Sequence, residues 1–569
     1  MSDYSNAPWY QFYGNIPRHL DYPHLTMYQL IAKTAQKHPN LPAYDFMDRK
    51  TGYRQFIRKI DCAAKALYAL GIRKNDRVTI CLPNIPQAID CFYALNRIGA
   101  ISSMIHPMSA TQEILSCLNQ SKSKAILTLD SLFRKVCAAA EMADCKPLIL
   151  VARIEDELQL LKKIGLAFSG HKKSPIIPLN HNVCFWSEVV KNTSARLPKD
   201  DGKYTDCASI LYSGGTTGAV KGICLSNLNF NALALQTIAA SGYQSICGKT
   251  MLSVMPIFHG FGLGIGIHTP LVGGACCILL PKFSISGYAK LLRKKRPNFI
   301  PGVPTIFEAL LRTKKLEKLD MSFLMGVFCG GDSLSGNLKC RVDAFLSTHR
   351  ANVQIREGYG TTECVTASCL TPVSCAREGS IGIPFPDIYY KIVKTGTTET
   401  LPADEEGEIC ISGPTVMMGY SGNPEETKRT LQRHADGRIW LHTGDLGKMD
   451  KDGFVYFRQR IKRMIVTSGY NVYPSQLEAV INGYKKVQLS CVIGVKDSYR
   501  MQRVKAYIVL RSGYSGSDEV RDEIINYCRE RVAEYAIPSE IEFRDTLPKT
   551  SVGKIAYRVL EQEAEGAAQ

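Results

Sequence analysis

The sequence predicts an α/β fold in several parts, and three observations lead to this prediction. Strand-like and helix-like segments alternate through the first half, which is typical of a mainly parallel sheet. From about Tyr389, short strands are separated by Gly, Pro and Asp turns, which indicates a more β-rich subdomain. After Asp445 a new α+β pattern follows, and 569 residues are too many for a single core.

The alternating units of the first half are predicted from hydrophobic periodicity. Two short apolar runs, 77–82 and 123–129, are predicted to be buried strands. Each is followed by apolar residues at helical spacing, in 87–97 and 130–143. A later apolar run, 208–212, is predicted to be a sheet strand that leads into a glycine-rich loop.

The C-terminal α+β pattern begins after a basic segment. A strand predicted at 453–457 runs into residues 458–463, which taken alone are typical of a solvated charge run. Two helices and two strands are then predicted, at 476–484 and 517–532 and at 490–494 and 504–510.

Composition indicates a soluble, intracellular protein. Hydrophobic residues make up 45% and charged residues 21%, as in ordinary globular proteins. The twenty cysteines are scattered without a Cys-x-x-Cys pair, so we expect reduced thiols in the cytoplasm and no zinc site. The N-terminus has no signal-peptide pattern, and no apolar run reaches the roughly 18 to 20 residues that a membrane helix needs.

The formal charge of +18 is the main compositional oddity. Basic residues are dispersed, with local runs at 293–296 and 458–463, and no nucleic-acid-binding motif accompanies them. We therefore expect no nucleic acid partner. Small anionic substrates or weak attraction to an anionic membrane surface remain as explanations of the charge.

A loop rich in glycine and hydroxyl residues follows the strand predicted at 208–212. Glycines allow a tight turn that presents N–H groups to anionic oxygens, hydroxyls add neutral donors, and a lysine adds a point charge. Its lysine follows Ala219 and Val220 rather than the last glycine, so this is not the loop of a P-loop NTPase. The candidate phosphate-binding residues are Ser213, Gly214, Gly215, Thr216, Thr217, Gly218 and Lys221.

This loop resembles the nucleotide loop of the adenylate-forming superfamily, which contains acyl-CoA synthetases, peptide-synthetase adenylation domains and firefly luciferase. Further motifs stand in that family's order over nearly the whole chain, most like medium- and long-chain fatty acid:CoA ligases. They are residues 256–260, 302–305, 330–334, 358–363, 379–382, 407–410, 440–445, 460–474 and 547–554.

The resemblance implies a division into two moving parts. Residues 1–459 would form the N-terminal AMP-binding domain and residues 464–569 a small mobile catalytic domain. Residues 460–463 would form the hinge, with Lys462 at the hinge position.

The resemblance also implies roles in acid activation with ATP, Mg²⁺ and CoA. Lys554 would reach the carboxylate and the α-phosphate, Thr362 would donate to the α-phosphate, and Glu363 would be the Mg²⁺ ligand. His259 would act as a gate or positioning residue between the acyl channel and the phosphate site. A fixed ammonium such as that of Lys554 is worth roughly two to three orders of magnitude in rate.

The remaining implied roles concern the nucleoside and the thiol. Tyr359, in a motif with Gly360 and Thr361, would stack on adenine. Gly330, Gly331 and Asp332 would form the opposite wall, Asp445 and Arg460 would bind ribose, and Gly469 would line the pantetheine tunnel.

Residues 330–334, Gly-Gly-Asp-Ser-Leu, also match a carrier-protein phosphopantetheine site, but they precede the 358–363 motif inside the large domain, which argues against that role. The chain departs from the family at Val220, Gln459 and Arg463, where Pro, Gly and an acidic residue are common. Val220 would loosen the phosphate loop, and Gln459 and Arg463 would alter the hinge.

The predicted function is ATP-dependent ligation of a carboxylic acid to CoA through an acyl adenylate. Residues 436–447 resemble fatty acyl-CoA synthetases more than aryl or acetyl members, which favours a medium- or long-chain fatty acid. A bile acid or aryl acid, an acyl carrier protein as acceptor, and a catalytically silent ATP- or lipid-binding relative are the alternatives.

Overall fold

The computed structural model describes residues 6–158, 176–178, 180, 182–214, 220–467, 470–497, 501–550 and 554–566. The chain forms two compact units. The first comprises Met1–Tyr390 and Ile411–Leu441, and the second comprises Lys391–Cys410 and His442–Gln569. A division into compact units does not test whether the chain bends at residues 460–463, so the hinge stays a prediction.

The strands of the α/β region are β1 Pro42–Phe46, β2 Arg49–Gly52, β3 Arg77–Cys81, β4 Ile101–Met104, β5 Ala125–Leu129, β6 Leu148–Ala152, β7 Val183–Phe185, β8 Cys207–Gly214, β9 Val220–Ser226, β10 Thr250–Ser253, β11 Cys276–Leu279, β12 Phe299–Gly302, β13 Gly326–Cys329, β14 Ile355–Tyr359, β15 Cys369–Leu370 and β16 Ile383–Pro384. The later strands are β17 Tyr389–Val393, β18 Gly407–Ser412, β19 Gly419–Tyr420, β20 Leu431–Arg433, β21 Ile439–Met449, β22 Val455–Arg460, β23 Ile465–Thr467, β24 Tyr470–Val472, β25 Val487–Asp497, β26 Met501–Leu510 and β27 Glu540–Phe543.

The α-helices are α1 Met27–Lys37, α2 Tyr53–Ala69, α3 Pro86–Arg97, α4 Thr111–Ser121, α5 Phe133–Met142, α6 Trp186–Lys191, α7 Asn227–Ala240, α8 Thr269–Val272, α9 Ile285–Lys295, α10 Pro304–Leu311, α11 Gly336–Thr348, α12 Pro424–Thr430, α13 Pro474–Asn482, α14 Asp518–Arg529 and α15 Tyr557–Gly566. A π-helix spans Phe261–His268, and short 3₁₀ turns include Lys314–Leu316, Thr362–Cys364 and Ile461–Arg463. No helix within the described ranges is long and apolar enough to cross a membrane.

Two mainly parallel sheets organise the first unit. One has the strand order β16-β15-β14-β13-β12-β10-β11-β1-β2, and the other has the order β19-β9-β8-β4-β3-β5-β6-β7. Strands such as β5 and β11 are buried along their whole length, because helices cover both faces of a parallel sheet. The strand and helix predictions for the first half are confirmed by β3, α3, β5, α5 and β8.

The second unit ends in a smaller α+β layer. Strands β24, β23, β26 and β25 lie in that order, and β27 pairs with β26 in parallel. Alternate residues of β26 enter two cores: Val504, Ala506 and Ile508 pack with α13 and α14, while Tyr507 and Val509 pack with α15. This arrangement confirms the predicted C-terminal pattern.

The region from Tyr389 to Arg460 is rich in short strands, β17 to β22. Within it β20 pairs with the start of β21, and the remainder of β21 pairs with β22, both antiparallel. The predicted β-rich subdomain is therefore confirmed.

Candidate functional site

Four of the predicted motifs lie at one edge of the nine-stranded sheet. Strands β10, β12, β13 and β14 are parallel neighbours. Because the carboxyl ends of parallel strands meet at the same edge, the segments that follow them converge there. These segments are residues 256–260, 302–305, 330–334 and 358–363.

Two glycines at this edge stand where a side chain has no room. A Cβ added to Gly260 would lie 1.7 Å from the carbonyl oxygen of Val365, and one added to Gly360 would lie 1.5 Å from that of Thr366. Val365 itself has φ of 65°, an unusual value for a β-branched residue. The 358–366 loop is thus folded tightly on itself and against the 256–260 loop.

The predicted adenine wall is ordered by main-chain contacts. Gly330 donates its N–H to the carbonyl oxygen of Gly302 at 3.1 Å, and Gly331 has φ of 82°, which favours glycine. The Asp332 carboxylate accepts a hydrogen bond from the Ser333 N–H at 3.0 Å. Tyr359 ends strand β14, the next strand along from the wall.

Glu357 is a residue of this edge that sequence analysis missed. Its Oε1 accepts a hydrogen bond from the Leu334 N–H at 2.9 Å, which ties the 330–334 segment to β14. Burial raises the pKa of Glu357 to about 7, and the Asp332 charge adds to this shift, while the Leu334 N–H and Lys339 oppose it. Its position directly before the Gly-Tyr-Gly motif was the available signal.

The glycine-rich loop joins β8 to β9. The two strands are antiparallel, with Ser213 opposite Lys221 and Gly214 opposite Val220, so the chain reverses between them. Gly215, Thr216, Thr217 and Gly218 lie outside the described residues. The Lys221 ammonium pairs with the Glu426 carboxylate and lies 5.1 Å from the centre of the Tyr420 ring.

Glu363 lies beside the same tyrosine. The Tyr420 hydroxyl donates to Glu363 Oε1 at 2.9 Å, and the Met417 N–H donates to the Glu363 carbonyl oxygen at 2.8 Å. Burial, followed by the Glu363 charge, raises the pKa of Tyr420, so its hydroxyl remains a donor. The predicted phosphate-loop lysine and the predicted metal ligand are therefore linked through Tyr420, which no sequence motif had marked.

His259 and the threonines of the motif occupy local turns. The Phe261 N–H donates to His259 Nδ1 at 3.2 Å, at the start of the π-helix. Thr362 begins the 3₁₀ turn that contains Glu363, and the Thr361 N–H contacts the buried Cys364 sulfur at 3.4 Å.

In the second unit, Asp445 and Arg460 form an ion pair. They are opposite each other in the β21–β22 ladder, and Arg460 Nε lies 2.8 Å from Asp445 Oδ1. The Asp445 side chain is fully buried, while that of Arg460 is 46% exposed. The structure thus brings together the two residues predicted to bind ribose.

The other predicted residues of the second unit are partly described. Two hydrogen bonds join Thr550 and Lys554: the Lys554 N–H donates to Thr550 Oγ1 at 3.1 Å, and the Thr550 N–H donates to the Lys554 carbonyl oxygen at 2.7 Å. Lys462 lies in the 3₁₀ turn after β22, and Gly469 is outside the described residues.

The two departures near the predicted hinge have different surroundings. Gln459 is fully buried, and its amide atoms have no hydrogen-bond partner among the described residues. Arg463 pairs with Glu478 and donates to the Val492 carbonyl oxygen. Arg463 is therefore accommodated by a nearby carboxylate.

Comparison with known proteins covers both parts of the chain. A family model described as AMP-binding enzyme matches residues 31–421, and one described as AMP-binding enzyme C-terminal domain matches residues 476–554.

Relatives match over nearly their full length. The long-chain-fatty-acid–CoA ligase of Bacillus subtilis (strain 168) is 33% identical, over 99% of each chain. The protein of the same name from Salmonella typhimurium is 30% identical, over 95% of each chain. Among solved structures, ATP-bound MatB from Rhodopseudomonas palustris superposes with a TM-score of 0.81 at 24% identity, over 96% of this chain and 100% of that chain. At that identity, the structural likeness is one of fold.

Proposed function

Because the chain belongs to the AMP-binding enzyme family, we propose that it is an ATP-dependent ligase that joins a medium- or long-chain fatty acid to coenzyme A. The observation that carries this proposal is the convergence of four motif loops at one sheet edge, in a chain that matches long-chain-fatty-acid–CoA ligases end to end. The reaction has two steps, formation of acyl adenylate and pyrophosphate, then formation of thioester and AMP.

The first step brings two anions together, and cations and fixed donors lower its barrier. The acid's carboxylate oxygen attacks the α-phosphorus of ATP, and pyrophosphate leaves. Lys554 neutralises charge at the carboxylate and α-phosphate, Thr362 donates to the α-phosphate, and Lys221 with its loop holds the departing phosphates. His259 positions the acid.

Glu363 suits a magnesium ion by the chemistry of its donor group. One carboxylate oxygen accepts from Tyr420, and a carboxylate has further lone pairs for a hard cation. When bound, Mg²⁺ would neutralise charge on the ATP phosphates. Tyr420 fixes the orientation of the Glu363 carboxylate, and it also lies against Lys221.

The second step distinguishes coenzyme A from a carrier protein as the acceptor of the acyl group. We propose that the 469–471 segment lines the pantetheine path, where a side chain at Gly469 would obstruct a narrow tunnel. Gly469→Leu should keep acid-dependent pyrophosphate release and lose CoA-dependent turnover.

Wild-type protein should consume free CoA in step with AMP production when given a saturated medium- or long-chain acid, ATP and Mg²⁺. Accumulation of acyl-AMP that CoA cannot discharge, but that a carrier's phosphopantetheine thiol can, would replace the ligase with a carrier-loading adenylase. A panel of fatty, aryl and bile acids, read by pyrophosphate release, would identify the acid. If no acid gave pyrophosphate release, the protein would instead be a catalytically silent nucleotide-binding relative.

We further propose a cytoplasmic location and weak association with anionic membranes. All twenty cysteines are free thiols, as expected in a reducing compartment. The net charge of +18 favours anionic lipid, and α9 together with the residues just before it offers a surface for it. Phe283 and Ile285 are 39% and 41% exposed there, beside exposed basic residues. These basic residues are Lys282, Lys290 and Arg293.

The charges of this surface are not neutralised by neighbours. Lys282, Lys290 and Arg293 form no salt bridge with any carboxylate in the described ranges. By contrast, Lys294 and Lys295 of the same run pair with Asp48, and Arg296 lies over the Phe323 ring.

Sedimentation with phosphatidylcholine vesicles, with and without phosphatidylglycerol, tests the membrane proposal. Binding should require the anionic lipid, weaken with salt, and fall in a Phe283→Ser, Ile285→Ser double variant. The control is Met142→Ser, since Met142 is 56% exposed on α5. Equal loss in the control, or no dependence on lipid charge, would contradict the proposal.

A further inference from the structure

A buried network joins β18 to β21 in the second unit. Glu408 Oε2 lies 2.9 Å from His442 Nδ1, and Glu408 Oε1 accepts a hydrogen bond from the Gly444 N–H at 2.9 Å. The side chains of His442 and Glu408 are only 7% and 9% exposed. None of the reaction steps described above uses either side chain.

The network fixes the turn that precedes Asp445. Gly444 has φ of 69°, and the Thr443 hydroxyl donates to the Ile409 carbonyl oxygen at 2.7 Å. The same hydroxyl oxygen accepts from the Asp445 N–H at 3.1 Å. The Thr443 hydroxyl therefore links the turn to β18 and holds the Asp445 N–H, while the Glu408 carboxylate holds the Gly444 N–H.

Cys410 completes a group of three side chains whose ligand atoms lie within 4.8 Å of one another, as in some metal sites. Both Glu408 oxygens are already engaged at hydrogen-bond distance. Burial, followed by the Glu408 charge, raises the pKa of the Cys410 thiol, which disfavours the thiolate that a metal needs. The contacts therefore suit a hydrogen-bonded network better than a metal centre.

We propose that Glu408 and His442 are positioning residues that hold the Thr443–Asp445 turn so that the Asp445 carboxylate receives the ribose hydroxyls of ATP. This inference rests on the proposed function. A carboxylate oxygen accepts hydrogen bonds, so the His442 tautomer with its proton on Nδ1 suits the contact with Glu408 Oε2.

Two substitutions at Glu408 have different consequences. Glu408→Ala removes the acceptor of the buried Gly444 N–H and the carboxylate beside the His442 ring, so the turn is no longer held in place. Glu408→Gln keeps an amide oxygen for the Gly444 N–H. Its NH₂ group can donate to His442 in the other tautomer, so much of the network survives.

Calorimetric binding of ATP and of 2′,3′-dideoxy-ATP tests the inference without turnover. We expect the wild type to bind ATP at least about tenfold more tightly than the dideoxy nucleotide, as suits hydrogen bonds to a charged group. Glu408→Ala and His442→Ala should lose most of that preference, and Glu408→Gln should retain it. Asp404→Asn is the control, since it removes a 58% exposed carboxylate that pairs with Lys448 in the same unit.

Three results would overturn the inference, and they differ from failure of the proposed function. Equal weakening of both nucleotides in Glu408→Ala would mean a general structural role. No ribose preference in the wild type would remove Asp445 as the ribose ligand. One equivalent of a transition metal per chain, lost in Glu408→Ala, would make the group a metal site. Acid-dependent pyrophosphate release, measured on the same samples, reports separately on the ligase activity.

Discussion

The loops at the carboxyl edge of the nine-stranded sheet and the Thr443–Asp445 turn are shaped by different means. At the sheet edge, backbone lies against backbone, and Gly260 and Gly360 are required because no β-carbon fits. In the turn, a side-chain carboxylate and a hydroxyl hold the main chain. The first region should tolerate no substitution at its close contacts, whereas the second should respond in proportion to the hydrogen bonds that remain.

The largest effect is expected for Gly260→Ala. Its Cβ would lie 1.7 Å from the Val365 carbonyl oxygen, so one of the two loops must move. A shift of about 1 Å at reacting groups costs on the order of 10²-fold in rate, so acid-dependent pyrophosphate release should fall at least that far.

Gly266→Ala is the matched control for this prediction. It lies in the same glycine-rich stretch, and its nearest neighbour would be 3.7 Å away, an ordinary contact. Equal losses in Gly260→Ala and Gly266→Ala would mean that the π-helix, and not the crossing of two backbones, sets the sensitivity.

Lys554→Ala tests the role of a charged side chain, whereas Gly260→Ala tests the close packing of two backbones. If the ammonium stabilises the adenylation transition state, pyrophosphate release should fall by roughly 10² to 10³ while thioester formation from supplied acyl-AMP is largely spared. Lys549→Ala, an exposed lysine in the same segment, should retain activity. Comparable loss in both half-reactions would point to a folding role.

Asp445→Ala and Glu363→Ala should separate nucleotide binding from turnover. Loss of the ribose acceptor should raise KM for ATP by roughly 10- to 100-fold, as for hydrogen bonds to a charged group. Loss of the metal ligand should lower kcat and raise the Mg²⁺ concentration needed for half-maximal rate. If neither defect responds to ATP or Mg²⁺ concentration, both assigned roles are wrong.

The smallest effect concerns the pH dependence of stability at Glu357. Burial raises its pKa to about 7 in the folded chain, so the folded state binds the proton more tightly than the unfolded state does. That stabilisation is full below the unfolded pKa, near 4.3, and is lost as pH rises through about 7.

Glu357→Gln removes the titration. The unfolding temperature of the variant minus that of the wild type should increase from pH 5 to pH 8. The increase should correspond to about 1–3 kcal/mol in the free energy of unfolding. A difference that is constant with pH would mean that Glu357 titrates as an exposed carboxylate does.

Sequence patterns predicted those structural features that depend on residues close together in the chain. The periodicity of β3, α3, β5 and α5 was sufficient to place them, because each buries one regular face. The family motifs likewise marked Gly260, Gly360 and Glu363. No local signal placed Tyr420 between Lys221 and Glu363, because that contact joins segments far apart in the chain.

The same limit applies to Glu357 and Glu408. Each is a glutamate within a strand, a pattern that many exposed strands share. Their importance follows from the partial burial of Glu357, the burial of Glu408, and the main-chain N–H group that each carboxylate binds, at Leu334 and Gly444. The position of Glu357 before the Gly-Tyr-Gly motif marked the residue, but the N–H that each glutamate binds is known only from the fold.

The position of β1 has a consequence for synthesis of the chain on the ribosome. Tyr44 of β1 pairs with Cys277 of β11, and β1 has its hairpin partner β2 on the other side. The hairpin leaves the ribosome long before its parallel neighbour is translated, so its inner edge and apolar face stay exposed until then. Nascent chains that stop before residue 279 should therefore depend on a chaperone, and release from it should coincide with emergence of β11.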